Sequence, residues 1–308
     1  MKTEIIPIAS RTEWLKLRTQ DVTASDVAAL FGLHPYKSAL QVYADKTNRT
    51  KGRADSAVMH RGRILEAGAP IALQEDYPSW RIEKANHYWR APELRIGATP
   101  DYLRVFEPVN MESVPDEPLD VKTVLPQIFE RDWADGPPLA WQLQVLTQAM
   151  LMGASRGWLA VLIDNYAKDL EIYEVTVHAA AWDKIVERVA KFWRDVEAGT
   201  MPEADYTKDG GILGELFPPR TSLAVDLSGD NELPALLDER ERLKAELKQT
   251  DARIDAIDAE IVHKLNSSEE GRLSGWKITN KMQHRKEYTV KATSFPVLRV
   301  TRLKELAA

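Results

Sequence analysis

The chain has 308 residues, 44% of them hydrophobic and 29% charged, with a formal net charge of −6 and no cysteine. That is enough apolar material for one large domain or two smaller ones, and it excludes disulfides and thiolate metal sites. No stretch approaches the ~18–20 apolar residues of a membrane helix, and the first residues lack the organisation of a signal peptide, so a soluble, cytoplasmic protein without a membrane partner is expected.

In chain order, Thr12 can cap a short helix through Arg18, and Thr23 or Ser25 a second carrying Val27, Leu30 and Phe31 and ending at Gly32. His34-Pro35-Tyr36 breaks the chain before a third helix from Ser38 to about Lys46. A hydroxyl at a helix start is a natural phosphate contact, although ordinary capping explains Ser25 equally well. Ser56 to about Gln74 reads as one longer helix with Val58, Ile64, Leu65, Ile71 and Ala72 inward. Glu66 lies beside that apolar face and needs a partner there. His60, six residues earlier, points elsewhere around the helix. Arg81–Trp89 and Leu94–Ala98 read as strands.

The stretch from Gly97 to Thr123 carries the strongest chemical signal. Asp101 opens one alternating run; Asp120 and Lys122, two apart on a second, share a face. Paired as a hairpin, the runs would converge two carboxylates and an ammonium. Convergent carboxylates call for a cation between them, and hard oxygen donors select Mg²⁺ or Mn²⁺. Solvated hairpin charges give the same pattern.

After Pro126 comes a short helix with Phe129 and Trp133, then Pro137-Pro138 and an apolar helix to Gly153 with Gln144 and Gln148 one turn apart. Strands at Trp158–Ile163 and Leu170–Val177 and an amphipathic helix at Ala179–Ala198, with Trp182, Ile185, Val189, Phe192 and Trp193 inward, complete an α/β pattern: a mixed sheet flanked by helices. Residues 201–231 are rich in Gly, Pro and Asp and read as a linker or wrapping loop. Pro234 to Asn266 is a long helix with apolar positions at alternating intervals of three and four, interrupted at Arg240 and Thr250; it suits either a pairing helix or one docked on its own chain. Arg272–Val290 reads as a basic β-hairpin with Trp276 and Tyr288, the kind of surface that can track a nucleic-acid backbone. Lys46–Arg63 is a second basic stretch.

Five blocks in order then resemble the YqaJ-like viral recombinase family, relatives of lambda exonuclease within the PD-(D/E)XK nuclease superfamily. They are W-L-K-L-R with T-A-S (Trp14, Arg18, Ser25), G-R-I-L-E (Gly62–Glu66), T-P-D (Thr99–Asp101), D-V-K (Asp120–Lys122) and W-Q-L-Q…G (Trp141, Gln144, Gly153). The resemblance implies a restriction-endonuclease-like core over residues 1–200, a linker over 201–231 and a C-terminal helical and hairpin extension over 232–308. It implies that Asp101 and Asp120 ligate a Mg²⁺ or Mn²⁺ ion with the backbone carbonyl of Val121, and that Glu66 is the helix-borne acid near the metal. Lys122 and Gln144 would be the motif lysine and glutamine, and Arg18 and Ser25 would hold a DNA phosphate. The implied activity is 5′→3′ exonuclease action on double-stranded DNA ends, with a homo-oligomeric ring and a single-strand annealing protein as possible partners. Asp120 stands where lambda exonuclease has Glu, and the acid upstream of T-P-D has only Glu93 as a counterpart, which puts a second metal in doubt. An endonuclease or end-processing nuclease of the Cas4 and RecB type, and an inactive DNA-binding or assembly protein, are the alternatives.

Overall fold

A computed structural model describes every residue except 51–55, 108–113, 166–168, 220–223, 286, 288–291, 293–297 and 301–308. The chain forms two compact units, Met1–Pro218 and Pro219–Ala308. The first opens with β1 (Glu4–Pro7), α1 (Arg11–Gln20), β2 (Val22–Thr23), α2 (Ala24–Leu30), α3 (Ala39–Lys46), α4 (Ala57–Glu66) and α5 (Ala69–Asp76). Five strands follow: β3 (Arg81–Lys84), β4 (His87–Ala91), β5 (Ile96–Ala98), β6 (Tyr102–Val105) and β7 (Glu117–Val124). The unit closes with α6 (Pro126–Asp132), α7 (Leu139–Met152), β8 (Arg156–Ile163), β9 (Leu170–Thr176), α8 (Ala179–Glu197) and α9 (Gly210–Leu216).

The mixed sheet flanked by helices is present, as two sheets rather than one. The larger runs β3-β6-β7-β8-β9, with β7 and β8 parallel and the other pairs antiparallel. The smaller runs β1-β4-β5-β2, with β2 and β5 parallel. Parallel neighbours need a crossover, and α6 and α7 supply the one from β7 to β8. α7 is central to packing: Val145, Leu146 and Leu151 join a buried cluster with Val27 and Leu30 of α2, Ile96 of β5, Leu159 of β8 and Ile185, Val189 and Phe192 of α8. Gly153, at φ 75°, stops the helix in a conformation that glycine adopts without strain.

Several local expectations are corrected. Ser10, not Thr12, caps α1, its Oγ accepting from the Glu13 N–H at 3.2 Å. Thr23 is the α2 N-cap position but makes no side-chain cap bond, and Ser25 lies within the helix. The single helix expected over 56–74 is broken in two. Pro70 has no N–H for the Glu66 carbonyl and its ring would clash there, so α4 ends at Glu66. The break turns Ile64 and Ile71 outward, at 60% and 67% exposure, and leaves Ala69 and Leu73 as the buried residues of α5; the Val58 side chain lies outside the described residues. The strand read at Arg81–Trp89 is two strands in different sheets, because the chain crosses between them at Ala85-Asn86. β1, which pairs with β4, was not anticipated.

In the second unit, α10 (Leu233–Leu265) ends at Asn266 in the left-handed region, and β10 (Glu270–Leu273) pairs antiparallel with β11 (Trp276–Thr279). Trp276 stands on this hairpin; Tyr288 lies outside the described residues.

Gly157 of β8 marks the closest approach of α7 to the larger sheet. A Cβ there would lie 2.6 Å from Val145 Cγ1 and 2.8 Å from Pro118 Cγ. Gly157→Ala should therefore destabilise the first unit by about 1–3 kcal/mol; an unchanged urea midpoint would show that the layers separate without cost.

Candidate active site

The register of the β6–β7 hairpin is the basis of the site. Tyr102 pairs with Leu119, so one step further Asp101 stands across from Asp120 at the open end of the ladder. β6 no longer pairs with β7 there, and the Val121 N–H is free to donate to Asp101 Oδ2, at 2.9 Å. Alternation along β7 sends Asp120 and Lys122 to the face covered by α7, while Leu119 and Val121 enter a cluster with Trp80, Tyr102 and Ala160.

Asp120 is 1% exposed, so its charge must be answered from within the protein. Lys122 Nζ donates to Oδ2 at 2.5 Å, and the side-chain amides of Gln144 and Gln148 both donate to Oδ1, at 2.7 and 2.9 Å. Lys122 also donates to Gln144 Oε1 at 3.3 Å and lies 4.7 Å from the centre of the Trp141 ring. Burial would lower the Lys122 pKa, but Asp120 and Asp101 raise it above the ordinary lysine value. It is an ammonium at neutral pH, able to orient or donate but not to act as a base.

Asp101 is the uncompensated member. Burial first, then the Asp120 charge, push its carboxyl up to about 7 against the pull of Lys122. Glu66, at the end of α4, is engaged by Lys84 of β3, whose Nζ lies 2.6 Å from Glu66 Oε1 and 4.3 Å from the centre of the Tyr102 ring. The site thus holds three carboxyl groups against two ammoniums, and Asp101, pushed up to about 7, is the group whose proton can make up the difference.

The donor chemistry fits a hard divalent cation: two aspartates, a glutamate and the Val121 carbonyl are all oxygen ligands. The geometry fits less readily. Among the described residues no three acidic or histidine groups are clustered closely enough to hold a metal, and Lys122 and Lys84 each engage one oxygen, of Asp120 and of Glu66. Gln148 Oε1 is buried without a hydrogen-bond partner, leaving an acceptor beside Asp120 unused. His60 has no place in the site: it is exposed on α4.

The expected phosphate pair forms a second centre. Arg18 Nη2 donates to Ser25 Oγ at 3.1 Å and the guanidinium lies 4.6 Å from the centre of the Trp14 ring. Beneath it Asp26 is buried, bonded to Lys37 and Lys46 at 2.8 Å each and to the Thr23 hydroxyl at 2.8 Å. Burial would raise Asp26, yet Lys46, Lys37 and Arg18 together hold it well below the ordinary range. Lys37 is shared with Asp45 at 2.7 Å, so three cations stand against two carboxylates and one positive charge is left for an anion. Trp14 Nε1 donates to Thr99 Oγ1 at 3.0 Å, two residues before Asp101, and so ties the two centres together.

Residues 13–155 match the family model of the YqaJ-like viral recombinase domain. The match takes in a little under half of the chain and contains Trp14, Arg18, Glu66, Asp101, Asp120, Lys122 and Gln144. The chain is 22% identical over 288 residues to the uncharacterized protein YqaJ of Bacillus subtilis (strain 168), covering 87% of this chain and 82% of that protein. Among solved structures, the alkaline exonuclease of Laribacter hongkongensis is 18% identical, with a TM-score of 0.47 over 61% of this chain and 94% of the other. Its complex with dAMP gives 0.48 over the same shares.

The matched stretch contains every residue of both centres, including those that the sequence pattern did not assign to the site. Gln148 was visible as one turn beyond Gln144. Lys84 gave no comparable signal, since only the crossing of the chain between sheets brings it to Glu66. Glu93 is exposed in the turn between β4 and β5 and joins neither centre.

The charge balance predicts a linked proton. Below pH ~4 Asp101 is protonated whether the chain is folded or not; between its ordinary value of 3.8 and about 7 the folded chain binds the extra proton, so metal-free stability falls as pH rises through that window. A divalent ion would displace the proton, so its affinity should rise between pH 6 and 8 with release of about one proton. Calorimetry in two buffers of different ionisation enthalpy measures the release, and Asp101→Asn should abolish it while raising the melting temperature in EDTA at pH 8. Equal heats in both buffers would remove Asp101 from the ion's ligands.

Proposed function

We propose that this protein is a metal-dependent DNA exonuclease of the phage-recombination type, attacking double-stranded ends in the 5′→3′ direction in the cytoplasm of a bacterial host. The observation that carries the reading is Asp101 set across from Asp120 with Lys122 on the adjoining position, inside a YqaJ-like domain. Asp101, Asp120 and the Val121 carbonyl would hold Mg²⁺ or Mn²⁺, with Glu66 alongside. Once bound, the ion would polarise the scissile phosphate and acidify the attacking water.

The chain's own residues supply the remainder. Gln144 and Gln148 fix one Asp120 oxygen in place, so the carboxylate has a single orientation when Lys122 lets go of the other. Lys122, held charged, can then turn to a phosphate oxygen or position the water. Beside it opens a cleft of about 440 Å³ lined by Pro35, Tyr36, Pro138 and Trp141 among others, apolar enough to receive nucleotide rings. His34 packs edge-on against Trp141 at 5.5 Å, and burial, with Lys37 nearby, lowers its pKa to about 4, so this wall is uncharged at neutral pH. The surplus charge at Arg18 and Ser25 suits a terminal 5′ phosphate, and an annealing protein would take up the strand left behind.

The test is digestion of a linear duplex labelled at one 5′ end beside a covalently closed circle, with Mg²⁺ or EDTA. Metal-dependent mononucleotide release from the linear DNA alone is expected, with Asp101→Ala and Lys122→Ala each slowing it by roughly a hundredfold or more. Cutting of the circle at the linear rate would replace the exonuclease with an endonuclease; retention of DNA without cleavage under any divalent ion would make the protein a binding or assembly factor. Arg18→Ala should cost about tenfold on 5′-phosphorylated ends and little on 5′-hydroxyl ends; equal losses on both would detach Arg18 from the terminal phosphate.

A further inference from the structure

α10 is an unbroken helix of 33 residues in which no residue is buried. At 1.5 Å per residue it is about 50 Å long. Leu236, Leu243, Leu247, Ile254, Ile257 and Ile261 fall on a frame of alternating four- and three-residue steps, the spacing of a coiled-coil seam, with Arg240 and Thr250 filling the two remaining places between them. Exposure runs from 41% at Ile257 to 62% at Leu236, and Ile261 is half-buried. In heptad terms, Leu233, Arg240, Leu247, Ile254 and Ile261 occupy the a positions, and Leu236, Leu243, Thr250, Ile257 and Lys264 the d positions.

We propose that the partner of this seam is a second copy of the same helix, packed antiparallel about a twofold axis passing between Lys248 and Gln249. Self-complementarity selects both the partner and the direction. With the axis there, which is almost the middle of the helix, every a residue meets a d residue: Leu236 meets Ile261 of the second copy, Leu243 meets Ile254, Leu247 meets Thr250, Arg240 meets Ile257, and at the two ends Leu233 meets the aliphatic stem of Lys264. The flanking charges agree, since Glu246 faces Arg253 and Lys244 faces Asp251, each pair occurring twice by symmetry. Glu239 faces Glu260, but each is already paired within its own helix, with Arg242 at 2.6 Å and Lys264 at 2.6 Å. A parallel pair would also match flanking charges, Glu239 with Lys244 and Arg253 with Asp258, but it would stack Arg240 on Arg240 and Lys264 on Lys264 within the seam and oppose Glu246 to Asp251. Sliding the antiparallel pair by one heptad, so that Leu247 meets Ile257, sets Arg253 against Arg253 and Asp251 against Asp251.

The absence of cysteine in the chain makes the arrangement directly testable. Leu243→Cys and Ile254→Cys are made separately in the full chain and oxidised alone and after mixing. A reducible covalent dimer is expected in the mixture only, because the two positions meet each other and neither meets itself. Cross-linking of either variant alone would overturn the antiparallel register. No cross-link in the mixture, with the helical circular dichroism of the wild type retained, would assign the seam to its own chain or to another protein. If either variant fails to fold, sedimentation equilibrium of the wild type decides: a mass of 34.8 kDa at every concentration rejects the pairing.

Discussion

Two carboxylates standing across an antiparallel ladder repel each other, and the rest of the site is arranged around the Asp101–Asp120 pair. Lys122 answers one oxygen of Asp120 with charge; Gln144 and Gln148 answer the other with dipoles. The difference matters. A second cation on Asp120 would neutralise the site, whereas amides hold the carboxylate still and leave its charge available. Asp101 receives only the Val121 N–H and keeps a proton instead. A site compensated in this way depends on that proton for its charge balance, and once the proton leaves it is short of one positive charge, the condition under which a divalent cation is attracted. α7 delivers both amides, and its opposite side is fixed by the main core, so the orientation of Asp120 depends on the packing of the whole unit.

The placement of the pair follows from topology. β5 belongs to the smaller sheet and β6 to the larger, so Thr99-Pro100-Asp101 is the joint by which the chain passes from one to the other. A second joint, Ala85-Asn86, passes between β3 and β4, and the two meet where the Ala85 N–H donates to the Asp101 carbonyl at 3.3 Å. Strand ends at such joints have ladder groups without partners, which side chains can use. The Thr99 hydroxyl, at the same joint, receives Trp14, whose ring carries Arg18. An anion bound at Arg18 and a cation bound at Asp101 would therefore be held by one short, braced segment.

How much of this was legible in the sequence depends on the range over which each feature is determined. The D-V-K spacing, the helix of Gln144 and the buried face of α8 are local periodicities, and they appear where the pattern put them. The opposition of Asp101 and Asp120 needed only the hairpin to be guessed. The broken helix at Glu66 was legible in principle from Pro70, but the apolar spacing concealed it: Ile64 and Ile71 continue the rhythm of a helix that the proline ring forbids. Lys84 was not legible at all, because its partner depends on which sheet β3 joins. The buried Asp26 was hidden for a related reason: its three cations come from α1, from α3 and from the segment that joins α2 to α3.

α8 and α10 are both amphipathic, and the contrast between them bears on what each is for. The buried face of α8 is wide and aromatic, with Trp182, Phe192 and Trp193 beside Ile185 and Val189, and it lies against the core. The stripe on α10 is narrow, its apolar residues are leucine and isoleucine, and it is bordered by charged residues that pair along the helix, such as Arg242 with Glu239 and Glu246. A wide stripe matches a layer of several elements; a two-in-seven stripe is the width of a single helix. Burying such a seam on a broad surface would also bury its bordering charges, whereas a second helix covers the apolar residues and leaves those charges in water. The two stripes thus call for different partners: α8 closes the fold, while α10 presents a surface of the size and chemistry of one more helix like itself.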